Sequence, residues 1–438
     1  MSNLWYPGVK QSPMSMGGMG GVVASYNFRS SGFSPNFDFA SEVNDIEGSG
    51  ISYSQNPKVT ADPHNENRYA ISFTDDDGSK DGFIRIATRS GSSFTLSPRY
   101  DAADGSNVGA NSILFDPSNS GKIIFLYNTS KPYARVISFS GSAGSESFSR
   151  SSAFLVSNVG YSATAEMVPM GSTGRYVIPL LKSGVCYLRI ITASSTDVTS
   201  RDSAGGSDAI SLTTTSSTSP DIIVDPTDST KGMMMTVNTS EKLVARALTF
   251  SGSGTSATVS VGAETQLTPN QNSGGGYSQN VWHSLVACGS GKYVAFAKGG
   301  DPPHQNKLVG VAFDYDGSSY TLGSPSYGPT NITSSTAGEW SASGDYYSAN
   351  NTIGLVGNYG TIGGYRPLYG IVCTRSDDRT LSYTDANAIA NESNTKLFKQ
   401  ETAQGYDDAN THLSVISNNA NGSNFDNLSA VLWQAGNA

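Results

Sequence analysis

The chain has 438 residues, a net charge of −9 and charged side chains at only 14% of positions, well below the roughly 25% usual for globular domains. It contains no Lys/Arg cluster and no apolar run long enough for a membrane span, which excludes a phosphate-tracking nucleic-acid groove and membrane insertion as its main mode of action. Its 48 glycines and 18 prolines, with abundant Ser, Thr and Asn between short apolar runs, suit many strands joined by tight turns.

Residues 1–21 lie outside any repeat and carry an apolar cluster, Leu4, Trp5 and Tyr6, followed by a Gly-rich run with Met14, Met16 and Met19. Adaptable methionines and an apolar cluster that a tail cannot shield alone predict an attachment arm that lies across a neighbouring subunit; the alternative is an arm folded back on its own domain. The N-terminus lacks the basic start and apolar stretch of a secretory signal. Cys186, Cys288 and Cys373 are odd in number and set within apolar strands, so free buried thiols and folding in a reducing cytosol are expected.

Residues 22–438 read as one repeat array. An Asp-Pro pair precedes an apolar strand three times: Asp62-Pro63 before Tyr69–Phe73, Asp116-Pro117 before Ile123–Tyr127, and Asp225-Pro226 before Met233–Val237. Pro stops one strand and Asp caps the turn, so each phrase predicts a hairpin. A mid-strand arginine and a Ser-Gly turn follow: Arg85 with Ser90-Gly91, Arg135 with Ser140-Gly141, and Arg246 with Ser251-Gly252. Weaker copies stand at Arg189, Gly310 and Gly370, and these six positions are 50, 54, 57, 64 and 60 residues apart. That period is too long for a solenoid turn and suits a four-stranded propeller blade.

At the chain ends, Thr411–Ser417 and Leu428–Gln434 read as the first two strands of a blade completed by Val22–Phe28 and Phe37–Ala40. The prediction is therefore an all-β, seven-bladed β-propeller of four-stranded antiparallel blades, closed by pairing C-terminal with N-terminal strands so that no edge is exposed. Lys396–Gln400 is left as an extra strand or a short helix, and an open array of sandwiches is the architectural alternative.

The arginines flanked by apolar neighbours, as in Ile84-Arg85-Ile86, predict guanidinium groups buried between blades and bonded to carbonyls or turn aspartates, rather than a ring of anion contacts. The acidic run Asp75–Asp81 resembles a calcium loop but contains Lys80 and no closing Glu, so a solvated turn is expected. His64, His283, His304 and His412 are far apart in sequence and form no metal-binding pair. No nucleophile elbow, phosphate loop or Asp-box turn occurs. The sequence thus predicts neither a catalytic centre nor a cofactor, and no enzyme. Trp282, Trp340, Tyr346 and Tyr347 are candidate stacking platforms for a glycan.

The Asp-Pro then Lys hairpin, as in Asp116-Pro117 with Lys122 and Asp225-Pro226 with Lys231, followed by the arginine and Ser-Gly turn, resembles β-propeller repeats of structural proteins of tailed bacteriophages, particularly marine ones. The opening Trp5-Tyr6-Pro7-Gly8-Val9 adds to the resemblance, whereas Gly310 and Gly370 depart from it. It implies a non-enzymatic virion protein of the tail, a fibre or the capsid surface, made in the host cytoplasm. Its expected partners are other virion proteins and further copies of itself in a larger assembly, with a host-surface glycan as the second possibility; a polysaccharide-cleaving propeller is the remaining alternative.

Overall fold

The computed structural model describes residues 35–44, 54–75, 81–103, 108, 110–158, 163–164, 166–202, 209–215, 220–225, 227–238, 242–268, 283–298, 308–328, 343–347, 351–358, 368–385, 387–390, 399–404, 411–418 and 427–437. The chain is an all-β propeller whose sheets are antiparallel and, apart from the one that joins the chain ends, built from segments adjacent in sequence. Blade 1 runs through Ser54–Ala61, Arg68–Asp75, Gly82–Ser90 and Ser93–Leu96, with a further strand at Tyr100–Asp101. Blade 2 repeats this with Ala110–Phe115, Lys122–Asn128, Pro132–Ser140, Ser147–Arg150 and Phe154–Leu155. Blade 3 spans Ala163–Thr215, blade 4 Asp221–Gln266, blade 5 His283–Gly328 and blade 6 Ser343–Ala390.

Strand composition follows position. The middle strands are covered by a neighbouring blade on both faces and are almost continuously apolar, as in Lys122–Asn128 and Lys231–Val237. Outer strands such as Ser93–Leu96, Ser147–Arg150 and Thr258–Val261 alternate exposed and half-buried residues because one face meets water. The core is divided among the seams: Ile84 and Ile86 of blade 1 pack with Phe115 and Phe125 of blade 2, and Met233 and Ala245 of blade 4 with Ala295 and Val311 of blade 5. The innermost strands stand side by side: Ser54–Ala61 touches Ala110–Phe115 and Lys399–Gln404, and Asp221–Val224 touches Val168–Pro169 and His283–Ala287. They therefore ring a central axis.

The expectation of a seven-bladed propeller of four-stranded blades is overturned: the propeller has six blades. Six blades share one pattern, a four-stranded path plus an additional strand, and blade 3 has six strands because its inner strand is also split. The cause is visible at the break in the outer strand. Ser97 Oγ accepts the Ile86 N–H at 2.8 Å, Ser151 Oγ the Val136 N–H at 3.0 Å, and Thr384 Oγ1 the Val372 N–H at 3.0 Å. A hydroxyl thus stands in for the ladder carbonyl before the chain resumes as the fifth strand.

A distinct four-stranded sheet joins the chain ends in the order Pro35–Asn44, Asn427–Asn437, Thr411–Asn418 and Lys399–Gln404. Thr411–Asn418 and Asn427–Asn437 are therefore its middle strands, one place further out than expected. One N-terminal strand closes the sheet, pairing Phe37 with Ala435 and Phe39 with Trp433. The segment expected as an extra strand or helix supplies the innermost strand, Lys399–Gln404. Val22–Phe28 and the arm with Leu4, Trp5, Tyr6, Met14, Met16 and Met19 lie outside the described residues. Among the described residues no helix is long and apolar enough to cross a membrane.

Candidate functional site

The Asp-Pro turns form a set of inter-blade clasps. Asp62 Oδ1 accepts the His64 N–H at 2.9 Å, Asp116 Oδ1 the Ser118 N–H at 2.8 Å, and Asp225 Oδ1 the Thr227 N–H at 2.8 Å. The residue so fixed then reaches the next blade: His64 Nε2 lies 3.0 Å from the Asp116 carbonyl, Ser118 Oγ donates to the Ser172 carbonyl at 2.8 Å, and Thr227 Oγ1 contacts Ser290 Oγ at 3.4 Å. In blades 3 and 5 Met170-Gly171 and Cys288-Gly289 replace Asp-Pro, and the glycines adopt φ of 63° and 122° to make the turn without a carboxylate. All three aspartates are buried.

The recurring arginines bind the scaffold. Arg85 Nε donates to the Ser97 carbonyl at 2.8 Å, Arg189 Nη1 to the Asp202 carbonyl at 2.9 Å, and Arg135 Nε to Tyr127 Oη at 3.2 Å. Arg189 is 1% exposed and Arg135 7%, while Arg85 and Arg246 are half-buried. Arg246 differs in its partner, pairing with the Glu264 carboxylate at 2.6 Å. Further cations outside the repeat tie blades together: Arg175 pairs with Asp202, which also accepts the Gly254 N–H at 2.7 Å, and Arg375 and Arg379 of blade 6 both reach Asp314 of blade 5.

A cluster that no local spacing announces sits on the axis. Lys58, on the innermost strand of blade 1, pairs with Glu166 of blade 3 at 2.6 Å, reaching past blade 2. Blade 4 brings Asp221 beside them, and its Oδ2 accepts the Leu285 N–H of blade 5 at 2.7 Å. Burial, and then the Glu166 charge, push the Asp221 carboxyl up to about 7, against hydrogen bonds from Leu285 and Ile222 and the pull of Lys58. The only sequence signal was a charged residue on an otherwise apolar inner strand, as in Asp221-Ile222-Ile223-Val224. The cluster can hold charge on the axis and lock blades 1, 3, 4 and 5 to one another.

The other candidate residues are scattered. Tyr346 and Tyr347 lie on the innermost strand of blade 6, in register with Ile353 and Thr352. Trp282, Trp340, His304 and Asp76–Lys80 of the acidic run lie outside the described residues. His283 opens the inner strand of blade 5, its imidazole pushed down by burial, and His412 is buried in the closing sheet. The three cysteines are buried and form no disulfide. Among the described residues no group of three or more His, Cys, Asp or Glu side chains is placed to hold a metal ion.

No protein-family model and no curated protein sequence matches this chain. Solved structures match its fold. The BP39L lectin from Burkholderia pseudomallei superposes with a TM-score of 0.51 at 12% identity, covering 89% of this chain and 98% of the lectin. A polysaccharide lyase, PL25 ulvan lyase, does so with a TM-score of 0.51 at 8% identity, covering 90% of this chain and 96% of the lyase. At such identities the likeness concerns the β-propeller fold.

Proposed function

We propose that this protein is a non-enzymatic propeller that acts as a rigid docking module in a larger assembly, the virion of a tailed bacteriophage in the reading that its repeat motifs favour. The observation that carries the proposal is what the repeated residues do. A propeller presenting one ligand site per blade must repeat the side chains that touch the ligand. Here the recurring Asp62, Asp116 and Asp225 fix turns that clasp the next blade, and Arg85, Arg135 and Arg189 bond within their own blades. The repeat therefore encodes stiffness. Lys58 and Glu166 neutralise each other on the axis, consistent with a locking role rather than a reaction centre.

Mass spectrometry of particles purified from a culture carrying the gene tests this reading: peptides of the protein co-purifying with capsid and tail proteins are expected. Their absence from the particles, or turnover of a polysaccharide by the purified chain, would overturn it.

A further inference from the structure

Two of the three cysteines meet at one seam. Cys288 of blade 5 and Cys373 of blade 6 belong to the same buried apolar cluster, 5% and 0% exposed, whereas Cys186 packs in the seam between blades 3 and 4. Their approach follows from the repeat. The Cys288 N–H donates to the Lys292 carbonyl at 2.7 Å, as those of Asp116 and Asp225 donate to the Lys122 and Lys231 carbonyls at 2.9 Å. Cys288 therefore holds the turn position of the clasp aspartates.

From that position a side chain faces the second strand of the next blade. The Asp116 carboxylate acts on Tyr176 of blade 3 and that of Asp225 on Tyr293 of blade 5, each tyrosine being the second residue of its strand, Arg175–Lys182 or Lys292–Lys298. The matching residue of blade 6 is Ile353, in Thr352–Asn358, and its partner on the third strand is Cys373. Cys288 is thereby directed at the Ile353–Cys373 pair, and it is among the groups that, after burial, push the Cys373 thiol up. Arg375 and Lys292 favour the Cys288 thiolate against its own burial, which makes it the better nucleophile of the two.

We propose that Cys288 and Cys373 are a redox latch, a thiol pair that closes to a disulfide between blades 5 and 6 when it meets a low-molecular-weight disulfide such as oxidised glutathione. The Cys288 thiolate attacks the S–S bond of the oxidant and one glutathione thiolate leaves; the Cys373 thiolate then attacks the Cys288 sulfur and expels the second. The two cysteine protons pass to the departing thiolates, so two thiols are oxidised and one disulfide is reduced. Both sulfurs are buried, so exchange takes place while the seam is open, as it is during folding. The bond then ties two positions far apart in the chain and restricts the unfolded state.

The latch stands on the geometry of the seam, independently of the virion reading. The test is to refold the full chain from urea in a mixture of reduced and oxidised glutathione, unfold it with an alkylating reagent present to trap free thiols, and map its peptides without reduction. One linkage is expected, Cys288 to Cys373, with Cys186 alkylated. The linked protein should melt about 2–4 °C above the same sample after reduction, and Cys288→Ser and Cys373→Ser should each abolish both the linkage and this difference. Should a serine variant fail to fold, the wild-type linkage and its reduction-sensitive melting alone decide. Full alkylation, linkages distributed over all three possible pairs, or a Cys288–Cys373 bond that leaves melting unchanged would overturn the proposal, whereas the particle experiment above is unaffected by any of these results.

Discussion

Replacing Asp221 by Asn isolates the electrostatic cost of the axial cluster. The amide keeps an acceptor for the Leu285 N–H but removes a carboxylate that burial and Glu166 push up to about 7 from 3.8. The sign follows from the raised value. Below pH 3.8 the carboxyl is protonated in folded and unfolded chains alike and costs nothing. As pH rises from 3.8 to 7 the unfolded chain gives up its proton first, so stability falls, and above 7 the full cost persists. A difference of roughly 3 pH units corresponds to about 4 kcal/mol. Water reaching the half-buried side chain reduces the expectation to about 2–3 kcal/mol. Wild type and Asp221→Asn should therefore unfold at nearly the same urea concentration at pH 4, with the variant the more stable by this margin at pH 8, both followed by tryptophan fluorescence. A difference between the two that is flat with pH would refute the reasoning, as would a variant less stable at pH 8.

Asp116→Ala removes from a buried site the acceptor of the Ser118 N–H and of Asn119 Nδ2, so urea unfolding should show a loss of about 1–3 kcal/mol, with Asp116→Asn recovering part of it. Gly310→Ala places a methyl against the Tyr383 hydroxyl, with Leu381 Cδ1 at 2.8 Å and Phe296 Cε1 at 3.1 Å, and should destabilise by about 1–3 kcal/mol. Adding Tyr383→Phe removes the nearest atom, and a double variant no better than Gly310→Ala would argue against that contact. Burial pushes the Cys288 thiol up to about 12 and Cys373 well above its ordinary value, so a thiol reagent at neutral pH should modify neither in the folded protein and both after unfolding.

The repeat was legible because its chemistry is local. Asp-Pro, a mid-strand Arg and Ser-Gly lie within one blade, and each dictates a turn or a strand without reference to the rest of the chain. The closing sheet was misread for the converse reason. Its innermost strand, Lys399–Gln404, is the polar stretch Lys-Gln-Glu-Thr-Ala-Gln and carries no Asp-Pro marker after it. The first clearly apolar strand, Thr411–Asn418, was accordingly assigned the inner place that Lys399–Gln404 holds. The split outer strands had a signal in Leu96-Ser97-Pro98, where a hydroxyl precedes a residue that cannot continue the ladder. Lys58, Glu166 and Asp221 come from three blades, and no spacing along the chain places them together.

This division between repeated and unrepeated residues also locates function. A side chain that recurs in blade after blade answers a need that every blade shares, and every blade must hold its neighbour. Arg189, almost fully buried and bonded to the carbonyl that ends its own outer strand, meets that need completely. Arg246 occupies the same place yet turns to the Glu264 carboxylate of its own blade. Tyr383 of blade 6 is inserted against Gly310 of blade 5 and fills that seam. Conformity to the repeat is thus where the stiffness lies.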